Sequence, residues 1–125
     1  MRSVLIVDDH APFRAAVRML LERGGFRVVG EVGDGEAALD AVCRLAPDVV
    51  LLDIQLPAED GFAICERLIE ASALIEGAPV IVLTSGRPIG TFRRRLARSH
   101  AAGFIAKTDL TASALSALIA RAPSP

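Results

Sequence analysis

Three carboxylates, one hydroxyl and one lysine stand where the predicted strands of this chain end. Asp8 and Asp9 follow the first aliphatic run, and Asp53 follows the third. Thr84 follows the fourth run, and Lys107, the only lysine among 14 basic residues, follows the fifth. The carboxyl ends of parallel strands meet at one edge of a sheet, and ligands bind beyond that edge. We therefore expect these five side chains to meet in one site.

Such a site suits a divalent cation. Like charges held close together oppose one another's ionisation unless a cation neutralises them. A hard cation with oxygen ligands meets this need, and Mg²⁺ fits best, with Mn²⁺ as the alternative. An acidic pair after a strand, taken alone, is often only a helix cap or a solvated loop. The prediction of a metal site therefore depends on the combination of residues.

The elements that must position these side chains alternate regularly along the chain. Five short aliphatic runs, at residues 4–7, 27–32, 49–52, 80–83 and 103–106, are predicted strands. The third run is apolar at every position, as expected of a central parallel strand covered on both faces. Helical patterns lie between and after them. The helices are predicted from Pro12 to Gly24, from a cap at Asp34, from Gly61, from Thr91 to Arg98, and from a cap at Asp109.

Alternating strands and helices predict a parallel sheet with right-handed crossover connections. Five such units are too few for an eight-stranded barrel, which leaves an open, doubly wound α/β sheet. We expect one domain over residues 1–120. Residues 121–125, rich in alanine, proline and serine, are predicted to be a tail or a linker stub.

Composition excludes several other classes of protein. The chain is 52% hydrophobic, yet no apolar run approaches the roughly 18 residues that a membrane span requires. The first apolar stretch is too short for a signal peptide, so we expect a cytoplasmic protein without a membrane partner. A net charge of −1 gives no bulk attraction to nucleic acid. Cys43 and Cys65 lack the spacing of a metal site and are predicted to be small apolar residues in the core or near the surface.

Five motifs in this order resemble the receiver domains of two-component response regulators. They are Asp8-Asp9, Asp53-Ile54-Gln55-Leu56-Pro57, Asp60-Gly61, Val82-Leu83-Thr84-Ser85 and Gly103-Phe104-Ile105-Ala106-Lys107. The resemblance covers nearly the whole chain. The opening, from Asp8 to Arg14, looks most like the branch that often carries helix-turn-helix output domains. The resemblance implies a flavodoxin-like fold with five helices and the strand order 2-1-3-4-5.

The resemblance also implies a role for each acidic residue. Asp53 would accept a phosphoryl group from a sensor histidine kinase or a histidine phosphotransfer protein. Asp9 and Asp53 would bind Mg²⁺ directly, Asp8 would act mainly through water, and Gln55 would offer its backbone carbonyl. No other cofactor is implied. The domain would be regulatory rather than an enzyme, with self-phosphorylation from small phosphodonors and slow autodephosphorylation.

The remaining site residues would neutralise the phosphoryl group and report its presence. Lys107 and Thr84 would contact the phosphoryl oxygens, and Thr84 and Phe104 would act as the switch pair. The output surface would be the fourth helix, fifth strand and fifth helix, which would contact a second copy or an output protein. A direct nucleic-acid contact is not expected. We favour a stand-alone regulator over a fragment of a longer one.

One position departs from the family pattern. Receiver domains usually carry a proline in a cis peptide bond after the active-site lysine, whereas Thr108 follows Lys107 here. A cis bond before a residue other than proline costs about 2.5–4 kcal/mol. We therefore expect a trans bond or a strained local geometry, which puts the exact reach of Lys107 in question.

Three other interpretations are open. Residues 33–38 fit the G-x-G-x-x-A pattern of a dinucleotide-binding module, although Asp34 and Glu36 would repel a pyrophosphate. An aspartyl-phosphate phosphohydrolase would need a general acid two residues after its nucleophile, where this chain has Gln55. A pseudo-receiver that only binds partners would not need all five active-site positions filled. Labelling by acetyl phosphate, rather than nucleotide binding or phosphoester turnover, would discriminate among them.

Overall fold

The computed structural model describes residues 1–73 and 77–121, and it contains five principal strands and five α-helices. The strands are β1 (Ser3–Val7), β2 (Arg27–Val32), β3 (Val49–Asp53), β4 (Val80–Ser85) and β5 (Gly103–Ala106). The helices are α1 (Ala11–Arg23), α2 (Gly35–Leu45), α3 (Gly61–Ser72), α4 (Arg93–Arg98) and α5 (Ala112–Arg121). All pairings within the sheet are parallel, and the order is β2-β1-β3-β4-β5. The predicted doubly wound, flavodoxin-like fold is confirmed.

The central strands are buried on both faces of the sheet. All five residues of β1 and of β3 are buried, and alternate side chains point into two separate apolar clusters. Leu5 and Val50 pack with residues of α2 and α3, whereas Val4 and Val49 pack with residues of α1 and α5. The uninterrupted apolar run of β3 therefore fills two cores at once, as its sequence predicted.

The two strands that reach the site extend past their apolar runs. β3 continues to Asp53 and β4 continues to Ser85, whereas the hydrophobic patterns end at residues 52 and 83. Asp53 lies opposite Thr84 in the register, and the Ile54 N–H donates to the Thr84 carbonyl at 2.9 Å. Ladder hydrogen bonds use the backbone, so polar side chains can continue a strand. As a result, Asp53 and Thr84 are held by the sheet rather than by loops.

Capping side chains begin most of the helices. Asp34 accepts a hydrogen bond from Ala37 N–H at 2.8 Å, which confirms the predicted cap of α2. The predicted cap of the last helix at Asp109 is wrong. Residues Lys107–Asp109 form a 3₁₀ turn, and Thr111 Oγ1 accepts from Ala114 N–H at 3.0 Å to begin α5. The turn uses Asp109 before the helix can start, so the next hydroxyl serves as the cap.

The fourth helix starts later than its sequence pattern predicted. Residues Ile89–Phe92 form a 3₁₀ turn, and α4 covers only Arg93–Arg98. Phe92 is buried, whereas no residue of α4 is. A helix needs a continuous apolar face for packing, and this stretch offers only Leu96.

A two-stranded hairpin, Gln55–Leu56 with Glu59–Asp60, connects β3 to α3 and completes the fold. None of the helices in residues 1–73 and 77–121 combines the length and the hydropathy needed to cross a membrane. The predicted tail lies outside the described residues from position 122 onward.

Candidate functional site

The three predicted acids lie together at the carboxyl edge of the sheet. One carboxylate oxygen from each of Asp8, Asp9 and Asp53 lies within 4.8 Å of the other two. Asp8 is 1% exposed and Asp53 is 4% exposed, whereas Asp9 is exposed to solvent. The cluster forms because β1 and β3 are neighbours in the sheet, so residues that follow their last apolar positions meet.

Asp53 is buried but well supplied with hydrogen-bond donors. Its Oδ1 accepts from the Gln55 N–H at 2.9 Å, and its Oδ2 accepts from Lys107 Nζ at 3.3 Å. Burial raises the pKa of the Asp53 carboxyl above its usual value, and the charge of Asp8 adds to this. The Gln55 N–H and the Lys107 ammonium partly offset both effects. The ionised form of Asp53 therefore depends on nearby positive charge.

Lys107 bridges two of the acids. Its Nζ lies 2.7 Å from Asp8 Oδ2, 3.3 Å from Asp53 Oδ2 and 4.3 Å from the centroid of the Phe13 ring. Burial alone would lower the pKa of Lys107, but the contacts with Asp8 and Asp53 outweigh it and raise that pKa. The side chain is therefore held as an ammonium between the carboxylates of Asp8 and Asp53.

Thr108, in place of a proline after Lys107, does not prevent Lys107 from reaching Asp8 and Asp53. The peptide bond between Lys107 and Thr108 is trans, as the sequence analysis expected. Lys107 nevertheless contacts both acids from the start of the 3₁₀ turn that follows β5. The structure thus brings Lys107 to the site without the cis bond that is usual in the family.

The acidic cluster fits a divalent cation. Asp8 Oδ2 is buried, and the Lys107 ammonium at 2.7 Å is its charged partner among the described residues. Three carboxylates opposed by one ammonium leave two uncompensated negative charges, which a divalent cation would balance. The available ligand atoms are all oxygens, the type that Mg²⁺ and Mn²⁺ take from proteins. Asp8, Asp9 and Asp53 could therefore hold Mg²⁺.

Gln55 lies in the hairpin directly after β3, the strand that ends at Asp53. Its side-chain oxygen accepts a hydrogen bond from Ser85 Oγ at 3.1 Å, and Ser85 Oγ in turn accepts from the Arg87 N–H at 3.0 Å. Ser85 is fully buried. This chain of contacts joins the loop after Asp53 to the loop after β4, although the sequence analysis assigned no role to Ser85.

Thr84 and Phe104 lie on adjacent strands beneath the site. Thr84 is 1% exposed, and Phe104 is half-buried beside Leu83 in the register of β4 and β5. The Phe104 ring lies 6.3 Å, between centroids, from the Phe92 ring. Phe104 also lines a cavity of about 450 Å³ that opens beside the β4–α4 connection and α5. Phe104 therefore borders open space on this side of β5.

Two polar contacts near the site were not predicted. Arg14 Nη1 donates to the Asp8 carbonyl, and Glu59 Oε2 accepts from the Gly35 N–H at 2.6 Å. A Cβ atom at Gly35 would lie 2.5 Å from that carboxylate oxygen, so only glycine allows the approach. The signal for both contacts is weak in the sequence, because the partners lie on different elements. A glycine at the first position of α2 is the only local sign.

The same contacts argue against the dinucleotide-binding interpretation. In a dinucleotide site the first N–H groups of the helix would bind a pyrophosphate. Here Glu59 takes the Gly35 N–H and Asp34 takes the Ala37 N–H. The start of α2 already holds two carboxylates, which would repel a third anion.

Comparisons with known proteins identify the family to which the chain is similar. The family model described as "Response regulator receiver domain" matches residues 4–120. The transcription regulator BvgA of Bordetella pertussis is 41% identical over 107 residues, which cover 86% of this chain and 49% of the relative. The chain spans about half the length of the curated relatives it matches, 51% of a transcriptional regulator from Pseudomonas aeruginosa and 49% of BvgA.

Solved structures agree with the fold. The receiver domain of NarL from Mycobacterium tuberculosis superposes with a TM-score of 0.77 and 31% identity, covering 96% of this chain and 98% of that one. The response regulator domain of CheB from Thermotoga maritima, at 23% identity, gives a TM-score of 0.82 over 100% of this chain and 99% of that one. The second match supports the fold alone. The chain belongs to the response regulator receiver domains of two-component signalling.

Proposed function

We propose that this receiver domain is switched by transfer of a phosphoryl group to the carboxylate of Asp53. The observation that carries the proposal is the buried Asp53 carboxylate, 3.3 Å from Lys107 Nζ and clustered with the carboxylates of Asp8 and Asp9. A structural ion pair would need one acid and one base. Three acids around one ammonium are electrostatically unfavourable unless a further cation completes the site.

In the proposed reaction, one Asp53 oxygen attacks the phosphorus of a phosphohistidine on a sensor kinase or a histidine phosphotransfer protein. The bond from phosphorus to the imidazole nitrogen breaks as the bond to the Asp53 oxygen forms. Such transfers depend mainly on positioning and on neutralisation of charge. Mg²⁺, when bound by Asp9, Asp53, the Gln55 carbonyl and, through water, Asp8, would supply that neutralisation.

The side chains already present would perform the remaining tasks. Lys107 would release part of its contact with Asp53 and pair with the phosphoryl oxygens. The Gln55 N–H keeps one Asp53 oxygen oriented at 2.9 Å, so the other is the one that can attack. Water attack on the phosphoryl group would later regenerate the carboxylate, which corresponds to slow autodephosphorylation. The domain would act as a regulated acceptor and not as an enzyme with turnover of other substrates.

The proposed response runs from Thr84 to the surface. The Thr84 hydroxyl would bond a phosphoryl oxygen and move towards Asp53, and Phe104 would turn into the space beside it. The exposed face of α4, β5 and α5 would then bind a second copy of the domain or an output protein. We further propose that residues 1–120 form the domain and that the protein is cytoplasmic. The domain would not bind nucleic acid directly.

The test is labelling by acetyl phosphate in the presence of Mg²⁺, followed by intact mass and peptide mapping. The wild-type protein should gain one phosphoryl group on the peptide that contains Asp53, and Asp53→Asn should gain none. Asp60→Asn is the matched control, because asparagine can still cap α3 and Asp60 lies outside the acidic cluster. Full labelling of Asp53→Asn, or no labelling of the wild type, would contradict the proposal.

A further inference from the structure

Arg14 makes a contact with the acidic cluster that is independent of any acidic side chain. Its Nη1 donates to the backbone carbonyl of Asp8 at 2.5 Å. Asp8 makes two further hydrogen bonds. Its N–H donates to the Val32 carbonyl at 3.0 Å, and its Oδ1 accepts from the His10 N–H at 2.9 Å. Arg14 thus provides the only side-chain donor to the Asp8 carbonyl among the described residues.

The guanidinium of Arg14 is held on its other side by Glu31 of β2. Arg14 Nε lies 3.5 Å from Glu31 Oε1, and the exposed fractions of the two side chains are only 20% and 23%. Arg14 Nε is buried and has no hydrogen-bond partner among the described residues. Removing an arginine from water with an incomplete set of partners costs stability, so this arrangement is not explained by stability alone.

Arg18 provides a natural comparison one helical turn later. Arg18 Nη1 lies 2.7 Å from Glu31 Oε2, a shorter contact than that of Arg14, and its side chain is 40% exposed. Its other hydrogen bond goes to the carbonyl of Val28, near the start of β2. Both arginines therefore bind Glu31, but only Arg14 reaches the turn that carries Asp8 and Asp9.

We propose that Arg14 is a positioning residue for the metal site, and that it sets the cation affinity by fixing the Asp8–Asp9 turn through the Asp8 carbonyl. This inference rests on the proposed function, because it assumes that the acidic cluster binds a divalent cation. Substitution of residues that hydrogen-bond to metal-ligating residues commonly lowers a protein's affinity for the metal by 10–100-fold. Without Arg14, the turn could rotate and the exposed Asp9 carboxylate would lose its fixed place beside Asp53.

The experiment measures Mn²⁺ affinity directly, from the electron paramagnetic resonance signal of free Mn²⁺, with Mg²⁺ as competitor. Arg14→Gln should weaken Mn²⁺ binding by about tenfold. Arg18→Gln, which removes the shorter contact with Glu31, should change the affinity by less than about twofold. Equal effects of the two substitutions would overturn the inference.

A conservative variant separates the simultaneous contacts of the guanidinium with the Asp8 carbonyl and Glu31 from its positive charge. Arg14→Lys retains the positive charge, but one ammonium cannot reproduce the planar fork that binds the Asp8 carbonyl and Glu31 together. The affinity of Arg14→Lys should therefore stay closer to that of Arg14→Gln than to wild type. Loss of the Arg14 charge by itself should strengthen cation binding, so charge cannot account for a weakening in Arg14→Gln. Full wild-type affinity in Arg14→Lys would overturn the positioning role of the guanidinium fork.

Two further measurements keep failure of this inference distinct from failure of the proposed function. Wild-type protein that binds no Mn²⁺ contradicts the metal site itself, whatever Arg14 does. If wild type binds Mn²⁺, the acetyl phosphate labelling rate of Arg14→Gln should be low at limiting Mg²⁺ and return to the wild-type rate at saturation. A rate that stays low at saturation would contradict a role through metal affinity. Should Arg14→Gln not fold, Glu31→Gln should still weaken Mn²⁺ binding more than Arg18→Gln does.

Discussion

Helices α3 and α4 both follow strands that reach the acidic site, but they are attached to the protein very differently. α3 has twelve residues, of which six are buried: Gly61, Phe62, Ile64, Cys65, Leu68 and Ser72. α4 has six residues, and none of them is buried. α3 begins close behind Asp53, whereas α4 follows the 3₁₀ turn after Thr84.

Few contacts hold α4 against its neighbour. The buried Phe92 precedes it, Leu96 packs partly on the core, and Arg95 pairs with Asp60 at the start of α3. Arg95 also lies over the Phe62 ring, 4.3 Å from its centroid. Segments with little buried apolar surface open at low free energy. The difference indicates that the α3 side of the acidic site is rigid and that the α4 side can move, as the proposed function requires.

The largest expected difference is in the stability lost when a leucine is truncated in α3 or in α4. Leu68→Ala in α3 removes a side chain that is fully buried and should lower the free energy of unfolding by about 2–5 kcal/mol. Leu96→Ala in α4 removes a half-buried side chain and should cost about 1 kcal/mol. Urea denaturation of both variants measures the difference. Equal losses would show that α4 is as firmly packed as α3.

A thiol between the two helices gives a second comparison. Burial raises the pKa of the Cys65 thiol to about 11, and Cys65 Sγ lies 3.8 Å from Ser99 Oγ, just after α4. An alkylating reagent at pH 8 should label Cys65 at least about 100-fold more slowly than the exposed Cys43. The rate for Cys65 should rise with pH, since only the thiolate reacts.

Phosphorylation sharpens that measurement. In a Cys43→Ser background, treatment with acetyl phosphate and Mg²⁺ should accelerate labelling of Cys65 if α4 detaches from α3. The same treatment of an Asp53→Asn version should leave the rate unchanged. Fast labelling of Cys65 in the untreated protein would show that α4 does not cover the thiol.

Two glycines test the same contrast on the backbone. A Cβ atom at Gly61 would lie 2.4 Å from Ile54 Cα and 2.6 Å from the Asp53 carbonyl oxygen, so Gly61→Ala should cost about 1–3 kcal/mol. A Cβ atom at Gly90, in the turn before α4, meets no described atom within 4 Å. Gly90→Ala should be neutral or stabilise by up to about 1 kcal/mol. Thermal unfolding of both variants distinguishes these results, and a severe loss with Gly90→Ala would contradict the open environment.

The smallest expected effect belongs to the ion pair between the helices. Arg95 and Asp60 are both largely solvent-exposed, so their coupling should be at most about 1 kcal/mol. A double-mutant cycle with Arg95→Gln and Asp60→Asn measures it, and salt should reduce it further. A coupling that is much larger and insensitive to salt would mean that α4 is fixed more firmly than its burial indicates.

The sequence predicted the sheet and the acidic cluster for physical reasons that are local. An apolar run such as residues 49–52 has one stable location, the centre of a parallel sheet, and the residue after it must then lie at the carboxyl edge. Asp8, Asp53 and Lys107 were placed by this reasoning without knowledge of any contact. Their geometry follows from strand order.

Other features depend on contacts that no local pattern records. The cap of α5 moved from Asp109 to Thr111 because a 3₁₀ turn occupies residues Lys107–Asp109. Arg14 lies on α1, yet its side chain is only 20% exposed because Glu31 of β2 and the carbonyl of Asp8, which follows β1, both contact it. Side-chain partners far apart in sequence are set by tertiary packing, so a single sequence gives little indication of them.

Hydrogen exchange, followed by mass spectrometry before and after stoichiometric labelling with acetyl phosphate and Mg²⁺, tests the central claim most directly. Our account predicts that exchange changes in residues 86–100 and in β5, that α3 stays protected, and that Asp53→Asn shows no change under the same treatment. A labelled wild-type protein with unchanged exchange in residues 86–100, or an Asp53→Asn variant with the wild-type response, would contradict it.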